Sequence, residues 1–578
     1  MKSKHQIEDL YPLSPVQHGI LFHSLYEPNN GVYLVQKYCT LRGDLNIAAF
    51  ERAWQRAVER HSILRTSFMW EGLDEPVQIV NHQVKLSLKQ LDWSELAPAQ
   101  QQQQLDNYLE AERKQDFNLA EAPLMRLVLI RISSGVYKFI WTYHHLILDG
   151  WCYGLLLGKV FTFYEAFSEG REVELKQTRP FRDYIAWLRQ HELNGAETFW
   201  RKRLGGITAP TPLRVDQLAE FRPAPEQIYG EENISLTLET TQALQALARS
   251  HRLTMYTLVQ GAWSLLLQRY SGDADVVFGE VVSGRPADLK GVEEMMGVFI
   301  NTLPVRVQVK TDSFVLPWLS ELQERQVESR QYEHTPLVQV QRWSDVPAGT
   351  LLFDSLLVYE NYPVDLTLAK RGGAIKVEDL LVVQAANYPI TMTAGPVPEL
   401  MLNIKYGATR FDVATIRRML NHVRTLLEAI AVNPNRRLAD LPMLTNEERE
   451  CLLVEWNDTA VNYPQGQTLQ QLFTEQTLCT PDATALIFGE ERLTYRELDR
   501  RTTHLASYLR RQGVGPEVLV GVCMERSVEM IVGLLGTLKA GGAYVALDPS
   551  YPSERLAFMF ADANLSVLLT QDRLVETL

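Results

Sequence analysis

A strongly apolar strand that ends in a polar heptapeptide constrains the fold of this chain more than any other feature. The strand is Val136–Tyr143, the heptapeptide His144–Gly150 reads HHLILDG, and a helical pattern follows from Cys152 onwards. Two histidines, an aspartate and a glycine would be energetically unfavourable at a strand end whose only role was packing. Histidine has an unperturbed pKa close to physiological pH and can carry protons. We therefore predict that His145 faces a reaction site.

The polar members of the heptapeptide have different predicted roles. Successive strand residues point to opposite faces, so only one of the two histidines can face a given cavity. For His144 a structural and a catalytic role are both open. Gly150 removes a Cβ at a place where a tight turn or a closely approaching ligand needs the space. Asp149 is predicted to hold the architecture of the loop.

A zinc site formed by His145, Asp149 and Cys152 is the main chemical alternative at this loop. The spacing allows two ligands at i and i+4. Zinc sites in proteins use three or four protein ligands, and the sequence shows no further ligand cluster nearby. We therefore favour proton chemistry over a metal.

Composition excludes several other classes of protein. A chain of 578 residues is too long for one hydrophobic core and predicts three or four compact units. The net charge of −13, without a block of Lys or Arg, argues against nucleic-acid binding. Five scattered cysteines without CxxC spacing predict a reducing compartment and no disulfides. Without an apolar signal region or a run of 18 apolar residues, we expect a cytoplasmic protein that is neither secreted nor membrane-spanning.

The N-terminal part of the chain alternates strand and helix patterns that lead up to the loop. Ser14 is a predicted N-cap with Pro15 at the first helical position, and Ser134-Gly135 is predicted to join two strands into a hairpin. The patterns predict strands at 32–41, 63–70, 124–133 and 136–143, and helices at 16–26, 46–61, 99–114 and 152–168.

A polar stretch at 168–180 indicates a boundary, after which a second half with a similar mixture of elements begins. Both halves mix strands and helices without strict βαβ alternation, which is typical of an α+β fold. From about 434 an irregular linker leads into alternating strands and helices of α/β character. The second half has predicted helices at 240–251, 255–270 and 412–432, strands at 274–282, 298–310, 352–360 and 399–406, and a glycine- and charge-rich loop at 283–297.

Five stretches of the chain resemble, in order, the motifs of nonribosomal peptide synthetase condensation domains. HHLILDG at 144–150 is similar to their HHxxxDG signature, and RHSILRTSF at 60–68 is similar to their second motif. Together the matches extend over roughly residues 10–430. The remaining stretches are SPVQ at 14–17, PFRDYIAW at 180–187 and MGVFINTL at 296–303, with looser matches near 332–336 and 353–355.

The C-terminal part resembles the start of an adenylation domain. LTYREL at 493–498 and LKAGGAYVALDP at 538–549 are similar to the first two core motifs of such domains. The phosphate-binding loop and the ATP- and amino-acid-binding motifs that follow in that family have no counterpart before Leu578. We expect this fragment not to activate amino acids.

The resemblance implies a fold and a set of boundaries. It implies two chloramphenicol-acetyltransferase-like subdomains, α+β in class and arranged as a V-shaped pseudo-dimer, followed by a partial α/β adenylation subdomain. The heptapeptide would lie in a tunnel between the two halves, with donor and acceptor entering from opposite ends. We expect an N-terminal subdomain at 1–175, a C-terminal subdomain at 176–435, a linker at 436–465 and the truncated adenylation start at 466–578.

The resemblance also implies a reaction between two carrier-bound thioesters. An upstream carrier protein would present an aminoacyl or peptidyl thioester, and a downstream carrier protein an aminoacyl thioester whose amine attacks it. His145 would orient that amine or take its proton, with His144 beside it, and backbone N–H groups near Gly150 are candidates for contact with the oxyanion. We expect no intrinsic cofactor, because both acyl groups are carried on the phosphopantetheine of the partner proteins. Residues 1–20 could receive the tail of an upstream synthetase.

An arginine is expected to hold Asp149 in place. The family pairs this aspartate with an arginine that matches Arg65 here, and Arg60 is the competing candidate. If the pair is buried, removal of one partner leaves an uncompensated charge at a cost of roughly 3–5 kcal/mol. Gly297 and Asn301 are expected to shape a loop, not to take part in chemistry.

Three related functions compete with condensation. An epimerisation domain shares the signature but would not ordinarily continue into an adenylation start. A heterocyclisation domain carries aspartates in place of the histidine pair. A recruiting module of the same fold would carry a degenerate heptapeptide, whereas this one is intact.

Overall fold

The structure, a computed structural model, describes residues 7–26, 31–191, 195–213, 215, 229–360, 375–384, 388–396, 398–463 and 465–575. The chain forms two compact units, Met1–Leu453 and Val454–Leu578. Residues 1–6, part of the segment predicted to receive an upstream synthetase, and Pro464 of the predicted linker lie outside the described residues.

Two sheets form the first half of the larger unit. A three-stranded sheet has the order β1-β4-β3, and a larger sheet contains β2, β7, β6 and β5. The strands are β1 (Ile7–Pro12), β2 (Leu34–Arg42), β3 (Thr66–Met69), β4 (Val77–Asn81), β5 (Leu88–Asp92), β6 (Met125–Ser133) and β7 (Val136–His144). The helices are α1 (Pro15–Tyr26), α2 (Ile47–Arg60), α3 (Pro98–Arg113), α4 (Gly150–Ser168) and α5 (Phe181–Gln190).

The second half is built on a sheet in which the described strands have the order β10-β9-β11-β13-β14-β8. Its strands, together with β12, are β8 (Tyr229–Ser235), β9 (Asp275–Val282), β10 (Asn301–Gln308), β11 (Ser355–Tyr359), β12 (Lys376–Gln384), β13 (Ile390–Pro396) and β14 (Leu400–Gly407). Its helices are α6 (Ala196–Leu204), α7 (Leu238–Ser250), α8 (Met255–Ser271), α9 (Val315–Arg330), α10 (Leu337–Trp343), α11 (Val413–Val432) and α12 (Asn446–Leu453).

One strand of the second half belongs to the sheet of the first. β12 pairs antiparallel with β2, from Lys376 opposite Arg42 to Gln384 opposite Val35. The larger sheet of the first half therefore has the order β12-β2-β7-β6-β5. The mixed sheets and helices of both halves confirm the predicted α+β class.

Helix α2 and the β6–β7 hairpin place the strand that leads to the heptapeptide. The Asn46 side chain caps α2 by accepting the N–H of Ala49 at 3.1 Å. The inward face of α2 then packs Phe50 and Trp54 against Phe139 of β7, with ring centroids 5.2 and 5.7 Å apart. Gly135 supplies the left-handed turn of the hairpin with a φ of +68°. The predicted hairpin is confirmed.

The segment after α11 packs on the second half before the chain leaves it. Leu438 and Leu441 are buried in the core of that half, and Arg269 donates to both of their carbonyl groups at 3.1 and 2.7 Å. The Leu438 N–H donates to the carbonyl of Ser313 at 2.9 Å. The first residues of the predicted linker are thus part of this half.

The smaller unit is α/β, as predicted. A parallel sheet with the order β18-β17-β19 is accompanied by the hairpin β15-β16. In the part of the chain that the structure describes, no helix of either unit is long and apolar enough to cross a membrane. The strands are β15 (Thr484–Phe488), β16 (Glu491–Thr494), β17 (Leu519–Cys523), β18 (Ala543–Leu547) and β19 (Val567–Thr570), and the helices are α13 (Leu469–Cys479), α14 (Tyr495–Arg511), α15 (Val528–Ala540) and α16 (Ser553–Asp562).

Candidate active site

The heptapeptide joins β7 to α4 and is tied to three different segments through its backbone. The His144 N–H donates to the carbonyl of Leu124 at 3.0 Å, and the His145 N–H donates to that of Tyr33 at 2.8 Å. The Asp149 N–H donates to the carbonyl of Gly297, in the second half, at 3.2 Å. These bonds fix the loop at the histidine pair and at the residue that precedes α4.

Asp149 is the N-cap of α4 and the centre of a buried polar cluster. Its Oδ1 accepts the N–H of Cys152 at 3.1 Å, and its Oδ2 accepts the N–H of Phe299 at 3.0 Å. Arg285 lies with Nη2 3.5 Å from Oδ1, and the side chains of Asp149 and Arg285 are 0% and 4% exposed. Because these interactions join the carboxylate to α4 on one side and to the second half on the other, Asp149 couples the two.

The predicted pair between Asp149 and Arg65 is wrong. Arg65 ends a short 3-10 turn before β3, so its guanidinium faces β1 and β4 and not α4. It forms an ion pair with Glu8 at 2.5 Å and donates to the carbonyl of Asn81 at 2.6 Å. Arg60, the competing candidate, donates to the carbonyl of Lys176.

The partner that the sequence analysis missed is Arg285. It lies in the glycine- and charge-rich loop at 283–297, where the sequence predicted a loop-shaping role for Gly297 and no role for Arg285. Its Nη1 donates to the carbonyl of Met295 at 3.0 Å, and its guanidinium carbon lies 4.0 Å from the centroid of the Phe299 ring. Hydrogen bonds and ring stacking thus aim the guanidinium at Asp149.

His144 fastens the loop through both ring nitrogens. The Leu146 N–H donates to Nδ1 at 3.2 Å, so the ring proton is on Nε2, which lies 3.4 Å from Oγ of Ser24. Burial, followed by the neighbouring His145, lowers the pKa of His144 to about 3. The ring is therefore neutral at physiological pH.

His145 has a different environment. Its ring is buried, and Nδ1 has no hydrogen-bond partner among the described side chains and backbone groups. Burial lowers its pKa, Lys37 lowers it further, and the histidine's own backbone and Asp149 oppose this shift. A neutral imidazole can accept a hydrogen bond or a proton, so this ring has the protonation state that an amine nucleophile requires.

Lys37 is a second chemical group near His145 that the sequence analysis did not single out. Its side chain is 8% exposed, and Nζ lies 3.3 Å from the centroid of the Tyr153 ring. Burial lowers its pKa to about 7, with Glu360 and Cys152 opposing the shift. The signal in the sequence is a lysine at an inward position of β2, where its neighbours two residues away are Val35 and Cys39.

A cavity of about 1040 Å³ lies in the larger unit, with Arg285 in its wall. Glu333 lines it, and burial raises the pKa of this carboxyl group to about 7.

The amide of Asn301 donates to the carbonyls of Glu333 and Thr335 at 2.8 and 2.7 Å, and so holds the segment that lines the cavity. A Cβ added to Gly297 would be 2.1 Å from the Phe181 ring, so this glycine permits a close approach of α5.

Two of the three side chains of the alternative zinc site, Asp149 and Cys152, have other partners. The Cys152 Sγ lies 3.2 Å from the carbonyl oxygen of Gly297 and 3.4 Å from Arg285 Nη2. Over the described ranges, no group of three or more His, Cys, Asp or Glu side chains could hold a metal ion.

Comparison with known families and proteins identifies the family to which the chain belongs. The model of the condensation domain family matches residues 7–453, and that of the AMP-binding enzymes matches residues 473–578. The chain is 47% identical over 572 residues to a linear gramicidin synthase of Brevibacillus parabrevis, covering 99% of this chain and 7% of that protein. It is 38% identical over 634 residues to chondramide synthase cmdD of Chondromyces crocatus, covering 99% of this chain and 16% of that protein.

Solved structures share the fold over most of the chain. The four-domain nonribosomal peptide synthetase holo-AB3403, bound to AMP and glycine, superposes with a TM-score of 0.80 at 20% identity, covering 99% of this chain and 44% of that one. The X-domain from teicoplanin biosynthesis superposes with a TM-score of 0.64 at 23% identity, covering 77% of this chain and 99% of that one. The chain therefore spans only a small part of each curated relative named above, 7% of the gramicidin synthase and 16% of the chondramide synthase.

Proposed function

Because this chain belongs to the condensation domain family of nonribosomal peptide synthetases, we propose that its larger unit forms an amide bond between two carrier-bound thioesters. The donor is an aminoacyl or peptidyl thioester on an upstream carrier protein, and the acceptor is an aminoacyl thioester on a downstream one. Phosphopantetheine of the carriers holds both acyl groups, and the unit itself needs no cofactor.

The observation that carries the proposal is the state of His145 in an immobilised loop. The ring is neutral because burial lowers its pKa, and its position is fixed by the backbone bonds of the heptapeptide. An amine attacks only through its lone pair, so a neutral hydrogen-bond acceptor that aims the amine lowers the barrier. His144 supports the loop, since both of its ring nitrogens face protein groups.

In the proposed step the acceptor nitrogen forms a bond to the donor carbonyl carbon. The carbonyl π electrons move to oxygen, and His145 takes the proton that the nitrogen loses. When the oxyanion collapses, the C–S bond breaks and the donor thiolate receives the proton from His145. The N–H of Gly150, at the start of α4, is a candidate donor to the oxyanion.

The AMP-binding match at residues 473–578 favours condensation over epimerisation, because an epimerisation domain would not ordinarily continue into an adenylation start. A recruiting module would bind partners without forming product. Both alternatives are separate outcomes of the same assay.

The test is a single-turnover assay of the full chain with a loaded donor carrier and a loaded acceptor carrier, read by mass spectrometry. We expect the wild-type chain to yield the amide and His145→Ala to lose at least about 100-fold in rate while both carriers still bind. His82→Ala, a substitution of an exposed histidine in the same half, is the matched control and should keep the wild-type rate.

Other results would contradict the proposal. An inverted donor stereocentre without amide would identify an epimerase. Bound carriers without any product in the wild-type chain would identify a recruiting module. Undiminished amide formation by His145→Ala would remove His145 from the mechanism.

A further inference from the structure

We propose that Lys37 is a second catalytic residue of this site, whose ammonium group donates a hydrogen bond to the donor carbonyl oxygen as that oxygen becomes negative. The inference rests on the proposed amide-forming function and names the group that stabilises its oxyanion. In this proposal Lys37 of β2 stabilises the donor carbonyl oxygen, and His145 acts on the attacking amine.

The first argument is that Lys37 interrupts an apolar face. Val35, Cys39 and Leu41 occupy the same face of β2 and belong to the hydrophobic core of the first half. An ammonium group at such a position destabilises the fold unless a partner compensates its charge. A side chain that breaks the local pattern in this way is typical of functional positions.

The second argument is that the protein itself compensates this charge only weakly. The described contact of the ammonium is with the face of the Tyr153 ring, 3.3 Å from Nζ to the centroid. Such a cation–π contact stabilises a desolvated ammonium less than a paired carboxylate would. None of the ion pairs between described residues includes Lys37. Its N–H donors are therefore available to a negatively charged ligand atom.

The third argument is that Lys37 adjoins both elements that flank the heptapeptide, β7 through its backbone and α4 through its ammonium group. Lys37 on β2 pairs with Trp141 on β7, and β7 is the strand that ends at His144. Tyr153, which contacts the ammonium, lies in the first turn of α4. The charge of Lys37 is near enough to lower the pKa of His145. An oxyanion formed beside His145 is therefore within the field of Lys37, in a site that excludes most water.

The two side chains then divide the reaction. As the C–N bond forms, the carbonyl π pair moves to oxygen, and the Lys37 ammonium donates a hydrogen bond to that oxygen without losing its proton. His145 takes the proton that nitrogen releases. When the oxygen pair returns, the C–S bond breaks, and the proton on His145 passes to the departing thiolate. Lys37 ends in the state in which it began.

The protonation of Lys37 gives the proposal a pH signature. Burial lowers the pKa of Lys37 to about 7, so its ammonium form is lost as pH rises through that value. The groups that act on it are Glu360 after β11, Cys152 on α4 and His145 in the heptapeptide. The wild-type rate at limiting substrate should therefore fall on the alkaline side, and this fall should vanish in Lys37→Met.

The experiment compares Lys37→Met with Lys138→Met in the full chain, under single turnover with both loaded carriers. Lys138 is the matched control because it lies on the adjacent strand β7 and donates to Thr40 Oγ1 at 2.8 Å. We expect Lys37→Met to lower the maximal rate about 100- to 1000-fold, in the range of a lost oxyanion donor, with carrier KM changed less than about twofold. Its Tm should not fall, because a buried charge has been replaced by an apolar chain of similar length. Lys138→Met should keep the wild-type rate.

A second variant covers the case in which Lys37→Met misfolds. Lys37→Ala in the presence of ethylammonium should regain at least about tenfold in rate, and an equal concentration of sodium should not substitute. A rate for Lys37→Met within about twofold of wild type, or an unchanged alkaline limb, would overturn the proposal. If either result were found while the wild-type chain and Lys138→Met still formed the amide, the proposal for Lys37 would fail and the proposed function would stand. No amide from the wild-type chain would overturn both.

Discussion

Asp149 of the first half and Arg285 of the second face each other with 3.5 Å between Oδ1 and Nη2, and both side chains are almost fully shielded from solvent. The same carboxylate accepts the N–H of Phe299, again from the second half. The heptapeptide that carries the histidines is therefore held in position by both halves.

Removal of either partner of this pair should destabilise the larger unit. We expect Asp149→Ala and Arg285→Ala each to lower the free energy of unfolding by about 3–5 kcal/mol, because each leaves a buried charge without its partner. The double variant should cost less than the sum of the two. Urea-induced unfolding of the four proteins of this cycle measures the coupling. A matched cycle with Asp149→Ala and Arg65→Ala should be additive within about 0.5 kcal/mol, since those residues share no partner among the described contacts.

Arg65 should prove to be a residue of the β1-β4-β3 sheet. Arg65→Ala removes the hydrogen bonds that Arg65 donates to the carbonyls of Asn81 and Val58 and breaks the pair with Glu8, so we expect a loss of about 2–4 kcal/mol in unfolding free energy. The amide-forming rate of the folded protein should be unchanged. Arg42→Ala, which breaks the exposed pair with Glu378, is the control and should cost less than about 1 kcal/mol. A selective loss of rate in Arg65→Ala would restore Arg65 to the active site.

Gly284 should tolerate no side chain. Its φ is +60°, and a Cβ there would lie 1.7 Å from the carbonyl oxygen of Phe299. Gly284→Ala should displace the backbone around Arg285 and Phe299, the two partners of Asp149 in the second half, and cost at least about 3 kcal/mol, measured as a loss of Tm and of soluble yield. Gly158→Ala, in the middle of α4 with nothing within 4 Å of the added carbon, should gain about 0.5–1 kcal/mol. Equal Tm values for the two variants would contradict this account.

Buried neutral histidines should make the protein sensitive to mild acid. Burial lowers the pKa of His61 to about 3, while an unfolded chain binds the proton near about pH 6.5. Between these values the unfolded state therefore binds more protons than the folded state does. The free energy of unfolding should decrease as the pH is lowered, by up to about 1.4 kcal/mol per pH unit for this group. His61→Leu should show a shallower loss of unfolding free energy between about pH 6.5 and about pH 4. Parallel curves for the two proteins would show that His61 is not buried as a neutral ring.

Local rules predicted most of what surrounds the site. Ser14 and Pro15 begin α1 at the predicted place, and the Ser134-Gly135 turn joins β6 to β7, because caps and turns depend on neighbours a few residues away. The heptapeptide was found for the same reason: its strand, loop and helix follow one another directly in the chain.

The features that were not predicted from the sequence depend mainly on contacts between distant parts of the chain. Arg285 is separated from Asp149 by several helices and strands, and periodicity does not show which arginine a buried carboxylate will meet. β12 was not predicted either, because its pairing with β2 depends on the meeting of two distant parts of the chain. Lys37 could have been noticed, since a lysine among inward-facing apolar residues of a strand is visible in the sequence alone.

The position of β12 has a consequence for how the protein is made. During synthesis, β2 leaves the ribosome long before β12, the strand that covers its free edge, which emerges only after most of the second half. Until then the nascent chain exposes an unpaired strand edge to its neighbours, which invites association between chains. A chaperone that holds the β2 edge until β12 has emerged should therefore raise the yield of folded protein.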